Sequence, residues 1–294
     1  MIELKTRWKE QVDTKNPLPE YPRPNMVRDS FFSLNGEWEY CINRQEEVTE
    51  YDGTIIVPFS PETALSGVQK IVMPEDYLHY KKVFRLPEGF QKDRVLLHFG
   101  AVDQECSVYL NGQLLGEHVG GYLAFSFDIT EKVKKRHENI LKVKVTDTLD
   151  KAYPYGKQRK NRGGMWYTPV SGIWQTIWME AVPENYIENI RLTPDLNGVD
   201  IEITMAGEKD NPVKTGFRIQ LTLENGKIVE REFSGNTMTK DFHDIMRAIS
   251  NADSVEIIAD YNYYSYGLSA ICPDVCDFAV YLDKEMKEGG IESL

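Results

Sequence analysis

Long hydrophobic runs are missing from this chain. No apolar stretch approaches the roughly 20 residues that a helix needs to cross a bilayer. The opening MIELKTRWKE is charged and has no apolar core of the kind a secretory leader carries, so the expected location is cytoplasmic, with no membrane partner. Basic residues are outnumbered. Against 46 Asp and Glu stand 34 Lys and Arg, giving a net charge of −12, so nucleic acid is not an expected partner. Four cysteines in 294 residues do not make a disulfide scaffold. Cys41 and Cys106 sit among strand-like residues and read as buried free thiols. Cys272 and Cys276 have no histidine near them, which argues against a metal site. No serine sits in a G-x-S-x-G elbow, and Gly120-Gly121 and Gly163-Gly164 lack the spacing of a phosphate loop. No cofactor is expected.

What the chain does have is strand. Leu141, Val143 and Val145 alternate with Lys142, Lys144 and Thr146, a period of two with one wet face. Val95, Leu97 and Phe99 alternate in the same way, and Phe125, Phe127 and Ile129 fall on one face of another run. Tyr80 and Phe84 read as inward positions. Asn111-Gly112 between two strand-like runs is a strong hairpin signal. Short strands with turns between them, and no sustained helical period, predict an all-β sandwich.

Three of the five tryptophans, Trp166, Trp174 and Trp178, lie close together in GGMWYTPVSGIWQTIWMEAV. The run from Ile173 to Met179 predicts one strand buried on much of both faces, entered through a sharp turn at Ser171-Gly172. Ahead of it, YPYGKQRKNRGGMWY (153–167) is a basic loop carrying Trp166 and Tyr167. Asp103-Gln104-Glu105 follows a strand and reads chiefly as loop decoration, although it could present polar side chains to a ligand. His98 and His118 read as packed side chains. Residues 1–30 hold four prolines between Pro17 and Pro24 and should lie extended across a surface.

Pro183-Glu184-Asn185 marks a boundary, placing an N-terminal arm and first domain at 1–183. A second strand series follows over 184–282, about the length of an immunoglobulin-like sandwich. Its runs are 187–192, 199–204, 217–223, 228–233, 255–261 and 278–282, with a hairpin turn at 224–227 and room for a short helix over 240–252. Residues 283–294 are polar and read as a linker stub.

Several pieces, in order, resemble the front of a glycoside hydrolase family 2 enzyme, the family of β-galactosidases and β-glucuronidases. They are Arg23-Pro24-Asn25-Met26-Val27-Arg28 with Leu34-Asn35-Gly36-Glu37-Trp38, then Leu97-His98-Phe99-Gly100-Ala101-Val102-Asp103, then Leu110-Asn111-Gly112 with His118-Val119-Gly120-Gly121-Tyr122, and finally Ser171-Gly172-Ile173-Trp174-Gln175. The resemblance spans residues 20–182 and thins beyond, where Cys272-Pro273-Asp274 departs from the family's usual pattern. It implies a jelly-roll sugar-binding domain, an immunoglobulin-like domain, and a (β/α)₈ barrel after residue 294. In such retaining enzymes the two catalytic carboxylates lie about 5–5.5 Å apart. The family holds both on the barrel, so no catalytic residue is assigned here.

The resemblance also makes 153–167 a loop on the rim of the active site, with Lys157, Gln158, Arg162, Trp166, Tyr167 and Asp103 as candidate substrate contacts. Lys157, Arg159, Lys160 and Arg162 would make a cationic rim that suits an acidic sugar, though a merely solvated basic loop is the blander reading. Some β-galactosidases carry an aspartate just before the Met-Trp pair; this chain has Gly164 there, which weakens that one hydroxyl contact. Implied partners are a carbohydrate substrate, the chain's own barrel and, in some members, further copies of the enzyme. A free-standing carbohydrate-binding module and a non-enzymatic sandwich scaffold are the alternatives.

Overall fold

A computed structural model describes residues 7, 9–90, 92–150, 152–154, 156–160, 163–194, 199–206, 216–223, 228–234, 252–260 and 269–271. The chain divides into two units. One holds Met1–Glu20 and Ser30–Val182; the other holds Tyr21–Asp29 and Pro183–Leu294. Among the described residues no helix is long and apolar enough to cross a membrane.

The first unit contains β1 (Phe31–Ser33), β2 (Gly36–Asn43), β3 (Gly53–Val57), β4 (Tyr77–Phe84), β5 (Arg94–Phe99), β6 (Val102–Asp103), β7 (Glu105–Leu110), β8 (Gln113–Val119), β9 (Phe125–Asp128), β10 (Asn139–Thr146), β11 (Gly172–Ile173) and β12 (Ile177–Val182). A six-stranded sheet runs β3-β2-β4-β10-β7-β8 and a four-stranded sheet runs β1-β12-β5-β9, while β11 pairs with β6 alone. All of these pairings are antiparallel. The alternating residues meet between the two large sheets: Trp38, Tyr80, Val108 and Val143 from one share a core with Leu97, Phe99, Ile177 and Met179 from the other. Trp38 donates its indole N–H to Leu34 O at 2.8 Å and stands edge-on to Tyr80, so its one polar atom is satisfied in the core.

The Asn-Gly signal holds. Asn111 and Gly112 both take positive φ between β7 and β8, and the Asn111 side chain donates to Lys132 O and Asn139 Oδ1. Cys41 and Cys106 are buried free thiols. Burial raises both, and the Cys106 thiol is pushed up to about 12. The aromatic run after Gly172 is not one strand. Phe99 faces Ile177 and Val102 faces Ile173, so residues 100–101 stand opposite residues 174–176. The extra residue makes a bulge that splits the run into β11 and β12, leaving Trp174 between them with its N–H still reaching Ala101 O at 3.5 Å. Gly100 permits it, since a Cβ there would meet Gln175 Cβ at 2.7 Å. Beyond the bulge, every residue of β12 is buried, as the two-faced pattern predicts.

In the second unit β13 (Tyr186–Pro194) pairs with β14 (Val199–Ala206). A four-stranded antiparallel sheet runs β16-β15-β17-β18, from β15 (Gly216–Leu223), β16 (Ile228–Ser234), β17 (Ala252–Asp260) and β18 (Ser269–Ile271). The expected turn at 224–227, the strand at 278–282, the pair Cys272 and Cys276, and residues 240–251 of the expected helix lie outside the described residues; Ala252 opens β17.

Residues 21–29, which the sequence places with the first domain's arm, belong instead to this second unit. Asn25 Nδ2 donates to Ile190 O at 2.7 Å, Arg23 Nη1 to Glu188 O at 3.5 Å, and Arg28 Nη2 to Ile187 O. Arg28 also lies 5.4 Å from the centre of the Tyr186 ring. A bulge between Ile187 and Asn189 takes Glu188 out of the β13–β14 ladder, and the arm supplies donors to the carbonyls around it.

Candidate functional site

One end of the first sandwich gathers the loop that precedes β11, the loop after β8 and the ends of β6 and β10. The first of these is pinned at its base as a narrow excursion. Tyr167 N–H donates to Lys157 O at 2.9 Å and Arg159 N–H donates to Tyr167 O at 3.0 Å, two backbone bonds that set Gln158 opposite Tyr167 in parallel. At its tip Trp166 N–H closes a turn onto Gly163 O at 3.1 Å. The Arg159 guanidinium lies 3.8 Å from the centre of the Trp166 ring, a cation–π contact that covers one indole face.

The return of the loop is gripped by side chains. Gln158 Oε1 accepts the Val170 N–H, Glu62 Oε2 accepts the Ser171 N–H at 3.3 Å, and Asp147 Oδ2 accepts from Ser171 Oγ at 2.9 Å. Tyr80 Oη then accepts the Ile173 N–H at 3.2 Å. Gln158 also hydrogen-bonds the Asp103 carboxyl. With its carbonyl taken by Val170, the Gln158 amide offers Asp103 a donor.

Asp103 is 6% exposed. It is not loop decoration: it lies in β6, opposite Gly172, and a Cβ on Gly121 would sit 2.6 Å from its Oδ1. Burial, then the charge of Asp147, push its carboxyl up to about 7; Glu62 adds to the rise and the Gln158 hydrogen bond opposes it. Burial also raises Glu62 and Asp147, against the hydrogen bonds each receives from the chain.

The loop after β8 supplies an aromatic neighbour. Trp174, left between β11 and β12 by the bulge, donates its indole N–H to Gly121 O at 2.8 Å and packs edge-on to Tyr122. A Cβ on Gly156 would come within 3.8 Å of Tyr122 Oη, which places the two loops side by side. Their outer side is apolar and open: Leu123 is 72% exposed, Tyr167 67% and Met165 58%, with Tyr122 exposed as well.

Of the residues singled out from sequence, Gln158 and Asp103 are brought together, and Lys157 and Tyr167 meet through the backbone. Trp166 is half-buried beneath Arg159, whereas Tyr167 presents its ring to solvent. Arg162 lies outside the described residues. Glu62, Tyr122, Asp147 and Ser171 were not anticipated here. Glu62 lies more than one hundred positions from Ser171, and no local pattern connects them. His98 and His118 are packed as expected: His98 lies 3.0 Å from Glu180 and stacks on Trp178, and His118 stacks on Phe125 and bonds Gly120 O. Among the described residues no group of three or more His, Cys, Asp or Glu side chains could hold a metal ion.

Residues 54–177 match the family model described as glycosyl hydrolase 2 galactose-binding domain-like. A β-galactosidase of Thermoanaerobacter pseudethanolicus is 31% identical over 196 residues, covering 63% of this chain and 26% of that protein. A β-glucuronidase of Streptococcus agalactiae is 24% identical over 264 residues, covering 82% of this chain and 43% of that one. Among solved structures, a Ruminococcus gnavus β-glucuronidase in complex with a C6-substituted uronic isofagomine superposes with a TM-score of 0.59 at 20% identity. That likeness covers 85% of this chain and 45% of the other, and it shows a shared fold. The chain thus spans less than half the length of each of these relatives.

Proposed function

We propose that the chain, whose residues 54–177 match the glycosyl hydrolase 2 galactose-binding domain-like family model, is the non-catalytic, sugar-binding and immunoglobulin-like part of a family 2 glycoside hydrolase. Its matches to β-galactosidases and β-glucuronidases cover only part of those proteins, and this carries the reading. The whole enzyme would hydrolyse a β-glycosidic bond with retention, using two carboxylates on a following barrel. The domains would divide as 1–183, with residues 21–29 lent to the second unit, then 184–282, then a link over 283–294.

In this reading the excursion at 157–170 is a wall of the substrate pocket. Tyr167 is the better aromatic contact for the apolar face of a pyranose, because its ring is open while one face of Trp166 is taken by Arg159. Lys157 and Arg162 would meet hydroxyl or carboxylate groups, with Gln158 fixing the loop from which they project. Asp103 acts from below, through Gln158. The cationic character of the loop favours a uronic acid over a neutral sugar. Tyr122, Leu123 and Met165 would be covered by the barrel, since open apolar groups on adjoining loops suit a docking face.

The test is hydrolysis of nitrophenyl β-glucuronide and β-galactoside. It compares the 294-residue chain with a version extended by the sequence that follows it in the coding region. The expected result is no turnover by the first and turnover by the second, faster on the glucuronide. Turnover by the 294-residue chain that survives repurification would overturn the proposal.

A further inference from the structure

The outer face of the four-stranded sheet carries a line of polar contacts across β9, β5 and β12. Leu97, Phe99, Ile177 and Met179 point into the core, so His98, Trp178 and Glu180 share the opposite face. Ser126 stands directly opposite His98 in the β5–β9 pairing. His98 Nδ1 and Ser126 Oγ are 2.5 Å apart, and His98 Nε2 lies 3.0 Å from Glu180 Oε1. Burial grades along the line: Ser126 is exposed, His98 is 4% exposed and Glu180 is fully buried. An open hydroxyl, a buried imidazole bonded to it and a buried carboxylate on the far nitrogen are the parts of an activated serine. We infer that Ser126 is a nucleophile toward short-chain carboxylic esters, with His98 as its general base and Glu180 as the residue that positions that base.

The backbone and the packing supply the remaining parts. The Glu180 charge beside Nε2 favours the tautomer with its proton there, which leaves Nδ1 to accept the Ser126 hydroxyl. That influence is one of charge, since Nε2 and Oε1 are not aligned as a hydrogen bond. Trp178 stacks on the imidazole, ring centroids 4.9 Å apart and planes 20° from parallel, and holds its plane. Ile129 N–H donates to Val95 O, so the alternation of the ladder turns the Phe127 and Phe125 amides toward β5 and the Ser126 amide away from it. Because β9 ends the sheet, the Ser126 N–H points off its edge, a donor for an oxyanion formed at this residue. The backbone sets only this one donor beside Ser126, so acylation rather than rapid turnover is the expected readout.

In the first step Ser126 Oγ bonds to the ester carbonyl carbon while its proton passes to His98 Nδ1. The bond from that carbon to the alcohol oxygen then breaks, and the alcohol leaves with the proton from His98. Water, giving its proton to the same nitrogen, releases the acid and restores the serine hydroxyl. The sum is ester plus water to acid plus alcohol. None of this rests on the carbohydrate reading, because none of the three residues belongs to the loops of that site.

The test is reaction of the 294-residue chain with 4-nitrophenyl acetate, followed by peptide mass spectrometry for acetyl at Ser126. The native chain should acetylate Ser126 about 10²–10⁴-fold faster than the same chain unfolded in urea. Ser126→Ala, at an exposed position, should remove that acetyl and the matching burst of nitrophenolate. Glu180→Gln keeps the size of the side chain and removes its charge. It should slow acetylation about ten- to a hundredfold with near-ultraviolet circular dichroism unchanged, which a merely structural role would not do. Equal rates in the native and unfolded chain would overturn the inference. So would an undiminished rate in folded Glu180→Gln or folded His98→Gln. Should neither variant fold, the comparison of native with unfolded chain and the loss in Ser126→Ala decide the matter.

Discussion

Adding one methyl group at Gly172 should damage the first unit more than any comparable change in the same loop. Gly172 has φ +76, and a Cβ built there meets Tyr80 Oη at 2.2 Å, Leu78 Cδ2 at 2.6 Å and Tyr80 Cζ at 3.1 Å. Both neighbours are fully buried in the core. An alanine in the left-handed region costs about 1–2 kcal/mol, and forcing a methyl into a packed core costs about 1–3 kcal/mol. Moving Tyr80 would also break its bond from the Ile173 N–H, a buried donor whose loss is worth about 1–3 kcal/mol. The sum, about 3–8 kcal/mol, is a large part of the 5–15 kcal/mol that typically holds a domain together. Gly164 is the control: it has φ +57 and, among the described residues, nothing within 4 Å of a built Cβ, so Gly164→Ala should cost only the backbone part, about 1–2 kcal/mol. Urea unfolding followed by near-ultraviolet circular dichroism reads both. Tyr80→Phe removes the atom at 2.2 Å, so the double variant should lose less than the two single losses added together. Equal costs for Gly172→Ala and Gly164→Ala, or strict additivity with Tyr80→Phe, would refute the packing argument.

Glu180 is fully buried 3.0 Å from His98 Nε2. Truncation to Ala leaves a buried His98 nitrogen without this contact and should cost about 1–3 kcal/mol in thermal or urea unfolding; a loss under about 0.5 kcal/mol would mean the pair carries no structural weight. Arg159→Ala should uncover the Trp166 indole, raising acrylamide quenching and red-shifting its emission, with a stability loss of only about 0.5–1 kcal/mol. Unchanged quenching would show that the guanidinium does not shield the ring. For Asp103 the folded carboxyl titrates near 7 against an ordinary 3.8. The folded state therefore holds the extra proton, and wild-type stability should fall as pH rises from about 4 to about 7 and then level off. The ceiling on that fall is about 4 kcal/mol, and screening by water at the loop reduces it to about 2 kcal/mol. Asp103→Asn should flatten the slope, as melting temperatures across pH 4–8 would show.

The parts of this molecule that could be read from sequence are those where local chemistry decides the outcome. Asn111-Gly112 needs no partner to make a turn, and Leu141, Val143 and Val145 show their inward face by spacing alone. The run after Gly172 misleads because its residues favour strand throughout, while its break is set by register against another segment. Gly100 lets that segment come close, and nothing within residues 173–179 records it. The site divides in the same way. A basic, aromatic loop could be seen at 153–167, but not that Arg159 would turn one face of Trp166 from a platform into a wall. Asp103 looked like decoration because a carboxylate between strands is usually wet. Its burial depends on Gly121, which has no side chain to displace it, and on Gln158, which caps it from a loop distant in sequence. Glu62 and Asp147 reach Ser171 from two further places in the chain. A polar site assembled from four separate segments leaves no period and no motif. Each residue taken alone has an ordinary reading, and only their convergence makes the end of the sandwich a candidate for chemistry rather than a wet edge.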